Sequence, residues 1–179
     1  MIQNVETRAT IKDYLKLPET NQLVELLEGE ILVSATPIPK HQRLVVRFYT
    51  LIDSLKPNGE VFVAPIGVYF DDENVPEPDV VWLAENSRCK VGEKLLEGVP
   101  DLIVEVLSPG TAKQDRVKKF RLYERFGVHE YWIADPIESY IEVYTLIDAK
   151  YQRVGAFVMG ESFLSPLLNK QVDLGKIFS

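Results

Sequence analysis

The run Leu102-Ile103-Val104-Glu105-Val106-Leu107 is apolar at every position but one. A near-continuous apolar run of this kind suits a strand covered on both faces, whereas a half-exposed strand alternates. Such a strand needs a layer above and a layer below it, which already points to helices packed on a sheet. The exception, Glu105, is the second constraint. An ionised carboxylate is costly to bury unless something pairs with it. A divalent cation is one such partner, and Mg²⁺ favours a few carboxylates plus water and phosphate. A structural ion pair is the competing reading.

The segments around this run supply the layers. Thr10 to Leu17 reads as a short helix capped by Thr10 and closed by Pro18. Leu23–Glu28 and Glu30–Ser34 read as a hairpin about Glu28-Gly29. In the stretch from His41 to Leu55, residues His41, Leu44, Val45, Phe48, Ile52 and Leu55 fall on one helical stripe. Strands follow at 60–64, 67–70 and 79–83, the last entered from the polar loop 71–78. A second long helix spans Thr111 to Phe126, with Gly127 as its C-terminal stop. Strands at 130–134, 140–147 and 151–158 come next, and 173–178 reads as a last helical turn. This order predicts an α/β fold, an α+β sandwich whose mixed central sheet is flanked by helices. It also predicts one domain over 1–179, made of a helix and hairpin (10–34), a core (41–135) and C-terminal strands with a tail (140–179).

Composition sets outer bounds. The chain has 179 residues, 46% hydrophobic and 26% charged, as an ordinary globular protein has. Its one cysteine, Cys89, excludes an internal disulfide and a cysteine-cluster zinc site. The start, Met1 to Glu6, lacks the basic and apolar pattern of a signal peptide, and no apolar stretch approaches the ~18 residues of a membrane helix. The expected location is the cytoplasm. A net charge of −7 argues against a coat protein that binds nucleic acid by neutralising phosphates. It leaves room for a nuclease with a local basic patch.

The second helix bears on the acids. At roughly 100° per residue, Ala112, Asp115, Arg116, Leu122, Tyr123 and Phe126 lie within about 60° of Lys119. Lys118, Arg121 and Glu124 lie off that stripe. Asp115 and Lys119 are spaced i,i+4 and form an ion pair on the bland reading. Sharing a stripe with Leu122, Tyr123 and Phe126, they are better described as facing the sheet near Glu105. Asp79, after Pro78 at the start of an apolar strand, is a second candidate ligand; by itself it reads as a strand-start residue. A metal lowers the pKa of bound water and neutralises phosphate, and a lysine stabilises charge on phosphoryl oxygens. That is the combination phosphodiester hydrolysis needs. Glu25, alternating with Leu23 and Leu27, is an extra inward carboxylate or a solvated strand charge. His41 is a core or near-cap histidine, or a group near the metal. Arg116, Lys118, Lys119 and Arg121, against Asp115 and Glu124, make either a phosphate-guiding face or a solvated one.

These phrases resemble the PD-(D/E)XK nuclease superfamily and, more closely, the Uma-type family of endonucleases. The resemblance rests on Val24-Glu25-Leu26-Leu27-Glu28-Gly29-Glu30, His41-Gln42-Arg43 and Pro76-Glu77-Pro78-Asp79. It continues through Pro100-Asp101 and the Glu105 run to Ser108-Pro109, then from Asp115-Arg116 through Lys119 and Tyr123 to Gly127–Pro136. It covers nearly the whole chain. It implies a restriction-endonuclease-like core and Mg²⁺-dependent cleavage, Mn²⁺ being a possible substitute. Asp79 and Glu105 would be metal ligands and Lys119 the catalytic lysine, with Asp115, His41 and Glu25 in support. The superfamily pattern expects a lysine two residues after the second acid, where this chain has Leu107; the resemblance moves that role to Lys119. The expected partner is nucleic acid, DNA above all, addressed by a homodimer that pairs through Tyr140–Val158. A silent nucleic-acid-binding module on the same fold and a dimeric scaffold are the competing functions.

Overall fold

In the computed structural model of the chain, residues 8–179 are described except 19, 21, 57, 109 and 111. Met1 to Glu6, the turn position Pro57, Pro109 and the expected helix start at Thr111 lie outside the described residues.

The chain opens with α1 (Ile11–Tyr14), where the Thr10 main-chain N–H and hydroxyl both donate to Asp13 Oδ2. The sequence predicts a helix as far as Leu17. The observed one buries no side chain, and a short helix without a packed face does not hold. The hairpin β1 (Val24–Leu27) and β2 (Glu30–Val33) follows. Its two turn residues, Glu28 and Gly29, have φ of 52° and 77°. Positive φ at both centres is what a two-residue hairpin needs to match strand twist, and glycine supplies it at the second position without strain. Next come α2 (Pro39–Leu55), β3 (Glu60–Val63), β4 (Val68–Tyr69) and β5 (Val80–Leu83). The short strands β6 (Lys90–Val91) and β7 (Leu96–Glu97) join β4 in a small sheet of order β4-β7-β6 that the sequence pattern does not disclose.

The buried run forms β8 (Leu102–Val106). After it the chain enters a π-helical stretch, Gln114–Lys119, that runs straight into α3 (Phe120–Phe126). Gly127, at φ 85°, ends α3 as its sequence position predicts. Then come β9 (Glu130–Asp135), β10 (Tyr140–Ile147), β11 (Lys150–Val158), the hairpin β12 (Ser162–Ser165) and β13 (Lys170–Asp173), and α4 (Gly175–Phe178).

The main sheet runs β11-β10-β9-β8-β5-β3. Only β8 and β9 are parallel, joined by the π/α3 crossover; every other pair is antiparallel. The sheet is therefore mixed, as predicted. Alternation along its strands sorts the core into two layers. Val80, Trp82, Val104, Val106 and Trp132 pack with Leu44, Phe48 and Ile52 of α2. Val81, Ile103, Tyr131 and Ile133 pack with Leu122 and Tyr123 of α3. Among the described residues, no helix is long and apolar enough to cross a membrane.

The C-terminal hairpin is tied down by one buried carboxylate. Glu130 accepts from Trp132 Nε1 at 2.7 Å, from Leu167 N at 2.8 Å and from Ser165 Oγ at 3.1 Å. Glu130→Ala strands these donors, and an unsatisfied buried polar group costs about 1–3 kcal/mol. The variant should lower the urea unfolding midpoint with an unchanged slope; a midpoint equal to wild type would show that the hairpin is held by its apolar contacts alone.

Candidate active site

Strand pairing brings the two principal acids together. The antiparallel register of β5 and β8 pairs Val80 with Val104, so that Asp79, just before β5, and Glu105, next after Val104, are brought to the same end of the two strands. Asp79 precedes β5 rather than opening it, and its Oδ2 accepts the Val106 N–H at 2.7 Å. That bond takes up an amide on the neighbouring strand and fixes the carboxylate at the strand end.

Lys119 lies across from Glu105. Its Nζ is 2.8 Å from Glu25 Oε1, 3.0 Å from Glu105 Oε1 and 3.3 Å from Asp115 Oδ1, and all four side chains are buried. Lys118, by contrast, is part-exposed and pairs with Glu30 on β2 at 2.8 Å. The π-helical stretch carries both Asp115 and Lys119. Such wide turns are rare and gather at functional sites. This one is fastened by Tyr131, whose hydroxyl donates to the Asp115 carbonyl at 3.0 Å.

Each of the other candidates has a definite place. Glu25 is fully buried rather than solvated, because β1 lies between β2 and the segment at Val75, bonded to both. Its Oε1 also accepts the Glu77 N–H at 2.9 Å, while its Oε2 is buried without a hydrogen-bond partner among the described residues. His41, in the first turn of α2, puts Nε2 3.3 Å from Asp79 Oδ2. The supposed phosphate-guiding face is largely spent on the protein itself. Arg116 binds Glu142 and the Tyr140 hydroxyl, and Lys118 binds Glu30.

Two residues missing from the candidate set hold it in shape. Tyr123 donates its hydroxyl to Glu105 Oε1 at 2.8 Å. Glu77 accepts from the Tyr14 hydroxyl and the Val24 N–H. Tyr123 could have been found from its place on the Lys119 stripe. Glu77 has only its position between two prolines to signal it.

The electrostatics follow from burial and an imbalance of sign. Burial drives the Glu105 carboxyl well above the usual range; Lys119 opposes this, and Asp115, Asp79 and Glu25 add to it. Burial would depress the Lys119 ammonium, but Glu105, Glu25 and Asp115 together hold its pKa well above the normal value. His41 is raised because the Asp79 carboxylate and the Val106 main chain outweigh its burial. One ammonium thus serves three carboxylates, with Asp79 beside them. Removing one partner from a buried ionic set costs on the order of 3–5 kcal/mol.

A cavity of about 460 Å³ opens over these groups, with Glu77, Asp79, Glu105, Asp115 and Lys119 in its lining. Among the described residues, no three His, Cys, Asp or Glu side chains are arranged to cage a metal ion. Mg²⁺ does not need such a cage: one or two carboxylates suffice when water and phosphate complete the octahedron. The all-oxygen donors and the surplus negative charge fit a hard divalent cation. Asp79 and Glu105, both in the cavity lining, are the residues that would hold it.

Comparison with known proteins agrees in fold and family. Residues 11–174 match the family described as "Uma2: Putative restriction endonuclease". An uncharacterized protein of Synechocystis sp. is 28% identical over 151 residues, which is 82% of this chain and 81% of that protein. A crystal structure of "a putative nuclease belonging to DUF820" from Anabaena variabilis shares the fold. It superposes with a TM-score of 0.78 at 21% identity, covering 94% of this chain and 97% of that one.

The raised Glu105 pKa has a direction that can be tested. Its native state holds the proton more tightly than the unfolded state does. Its contribution to stability is therefore complete below the ordinary glutamate range and is lost as pH rises through the native value. Urea unfolding of the metal-free protein should show stability falling from that range toward neutral pH, and Glu105→Gln should flatten the fall. Equal slopes in the two proteins would contradict the assignment.

Proposed function

The chain belongs to the Uma2 family, and from that premise we propose that it is a Mg²⁺-dependent endonuclease that hydrolyses phosphodiester bonds in DNA. The observation that carries this reading is the buried set of Asp79, Glu105 and Lys119 beneath an open cavity, with more carboxylates than cations. A purely structural ion pair would balance its charges and would have no reason to sit at the floor of a cavity.

The roles follow from the contacts. Asp79 and Glu105 would hold the cation. When bound, the cation supplies a water of lowered pKa and neutralises phosphate charge. The Val106 N–H and His41 Nε2 both hold Oδ2 of Asp79. Tyr123 does the same for Glu105. Lys119 stabilises the charge that builds on the phosphoryl oxygens, and a group preset for that task needs no reorganisation as the reaction proceeds. Asp115 and Glu25 keep the Lys119 ammonium charged and aimed. The sheet edge at β11 is the surface through which two copies would pair, so that one assembly could address both strands.

Metal binding separates this reading from a scaffold. Mg²⁺ or Mn²⁺ should raise the melting temperature, because a ligand of the native state stabilises it by mass action. Asp79→Asn and Glu105→Gln should each shrink that rise; an undiminished response in both would place the metal elsewhere.

Cleavage is tested by screening duplex, single-stranded and branched DNA and RNA with Mg²⁺ or Mn²⁺. On any substrate that wild type cuts, Lys119→Ala should lower the rate at saturating substrate by about 10²–10³. Lys118→Ala should retain most of the rate, since its ammonium is held by Glu30 on the outer side. An inactive Lys118→Ala with an active Lys119→Ala would overturn the lysine assignment.

A further inference from the structure

The hairpin β1–β2 is a two-stranded sheet of its own, yet it supplies Glu25, one of the three carboxylates on Lys119. Whatever holds the hairpin therefore bears on the lysine. Beside β1 runs the segment 73–77, antiparallel to it. Leu26 and Val75 exchange both main-chain hydrogen bonds, at 3.0 and 2.7 Å. Such exchanged pairs recur at every second residue of an antiparallel ladder, so the next would join Val24 to Glu77. That pair is made differently. The Val24 N–H donates to Glu77 Oε2 at 3.3 Å, and the Glu77 N–H donates to Glu25 Oε1 at 2.9 Å. Two carboxylates stand where a regular ladder has two carbonyls.

This substitution acts on the lysine. Glu25 Oε1 receives the Glu77 N–H at 2.9 Å and meets Lys119 Nζ at 2.8 Å. A main-chain donor has no side-chain torsions through which to swing away, so it fixes the oxygen that meets the ammonium. A regular rung would turn that N–H to the Val24 carbonyl and take it from Glu25. The Glu77 side chain prevents this by occupying the Val24 N–H. It is itself held, since its Oε1 accepts the Tyr14 hydroxyl of α1 at 3.0 Å. Glu77 also lines the cavity beside Asp79 and Glu105. Both of its oxygens already accept a protein donor, so its task in that lining is to hold β1 rather than a cation.

We infer that Glu77 is a positioning residue for Lys119: by occupying the Val24 N–H it keeps its own N–H on Glu25, and Glu25 in turn holds the ammonium beside Glu105. Through Tyr14 the short helix α1, which buries no side chain, is linked to the lysine by successive polar contacts. The inference rests on the proposed role of Lys119 and adds the residue that keeps it in place.

The test reads Lys119 without relying on cleavage. The folded protein is treated with a trace of acetic anhydride, and acetylation of Lys119 is measured relative to Lys118 by fragment-ion mass spectrometry. In wild type the buried, paired Lys119 should react far more slowly than the part-exposed Lys118. Glu77→Ala should raise the relative acetylation of Lys119 roughly tenfold, as the loss of one hydrogen bond to a charged group implies. Glu77→Gln should restore the protection, because its amide oxygen can accept the Val24 N–H while its amide N–H donates to the Tyr14 hydroxyl. Glu130→Ala, which weakens the fold at the C-terminal hairpin, should leave Lys119 protected, so lost stability is not mistaken for lost position. Mg²⁺ should raise the melting temperature of Glu77→Ala as it does that of wild type. Unchanged protection in Glu77→Ala, exposure of Lys119 in Glu130→Ala or Glu77→Gln, or a Mg²⁺ response present in wild type and absent in Glu77→Ala would each overturn the inference. Should Glu77→Ala not fold, Tyr14→Phe carries the test: it removes a single hydroxyl and should raise Lys119 acetylation in the same direction, and no rise would overturn the inference. Cleavage then separates the two readings. On a substrate that wild type cuts, Glu77→Ala should lower kcat and leave KM unchanged, and an unchanged kcat rejects the positioning role while the nuclease stands. A wild type that cuts nothing but shows the acetylation pattern rejects the nuclease while the hold of Glu77 on Lys119 stands.

Discussion

Lys119 Nζ meets Glu25 from the first hairpin, Glu105 from the central strand and Asp115 from its own π-helical stretch. Each of these elements has apolar reasons to pack where it does, but only the shared ammonium makes their acids compatible in one buried volume. Without it, three carboxylates would be left in a low-dielectric interior, and each would have to take a proton or force its way to water. The arrangement of hairpin, sheet and helix around the site therefore depends on one positive charge. Tyr123 and Tyr131 extend the same cluster outward, one bonding Glu105 and the other the Asp115 carbonyl. The aromatic contacts of Tyr131 with Tyr123 and Phe120 then join it to the rest of that layer.

Much of this was legible because burial leaves a period in the sequence. The near-continuous run at Leu102–Val106 reads as a strand covered on both sides and lies at the interior of the sheet. The stripe from Asp115 to Phe126 brings Lys119 inward and leaves Lys118 part-exposed, although 100° per residue is not the pitch of the π-helical stretch. The extra residue of the wide turn falls where Asp115 and Lys119 still end on one side. Glu25 was harder to read. Alternation gives the face of a hairpin strand but not what covers it, and β1 is buried through a long-range bridge to Val75. The strands β6 and β7 that build on β4, and the hairpin β12–β13, leave no signal in the sequence for a related reason. Their strands are two to four residues long and too short to show a period, and the hairpin is fixed by the distant Glu130.

The same cluster that stabilises the fold also sets what it can do. Its charge is left unbalanced at the floor of an open cavity, where a purely structural network would be expected to close on itself. In the proposed function, Asp79 and Glu105 would hold a divalent cation that offsets this surplus, while Asp115 and Glu25 go on holding Lys119. On that proposal, fold stability and chemistry draw on one set of side chains, and the surplus of negative charge links them.

Anomalous diffraction from crystals grown with Mn²⁺ tests that link most directly. The account predicts a manganese peak bound to the carboxylates of Asp79 and Glu105 beside Lys119. Saturating Mn²⁺ with no peak there, and with the Lys119 contacts to Glu25, Glu105 and Asp115 unchanged, would contradict it.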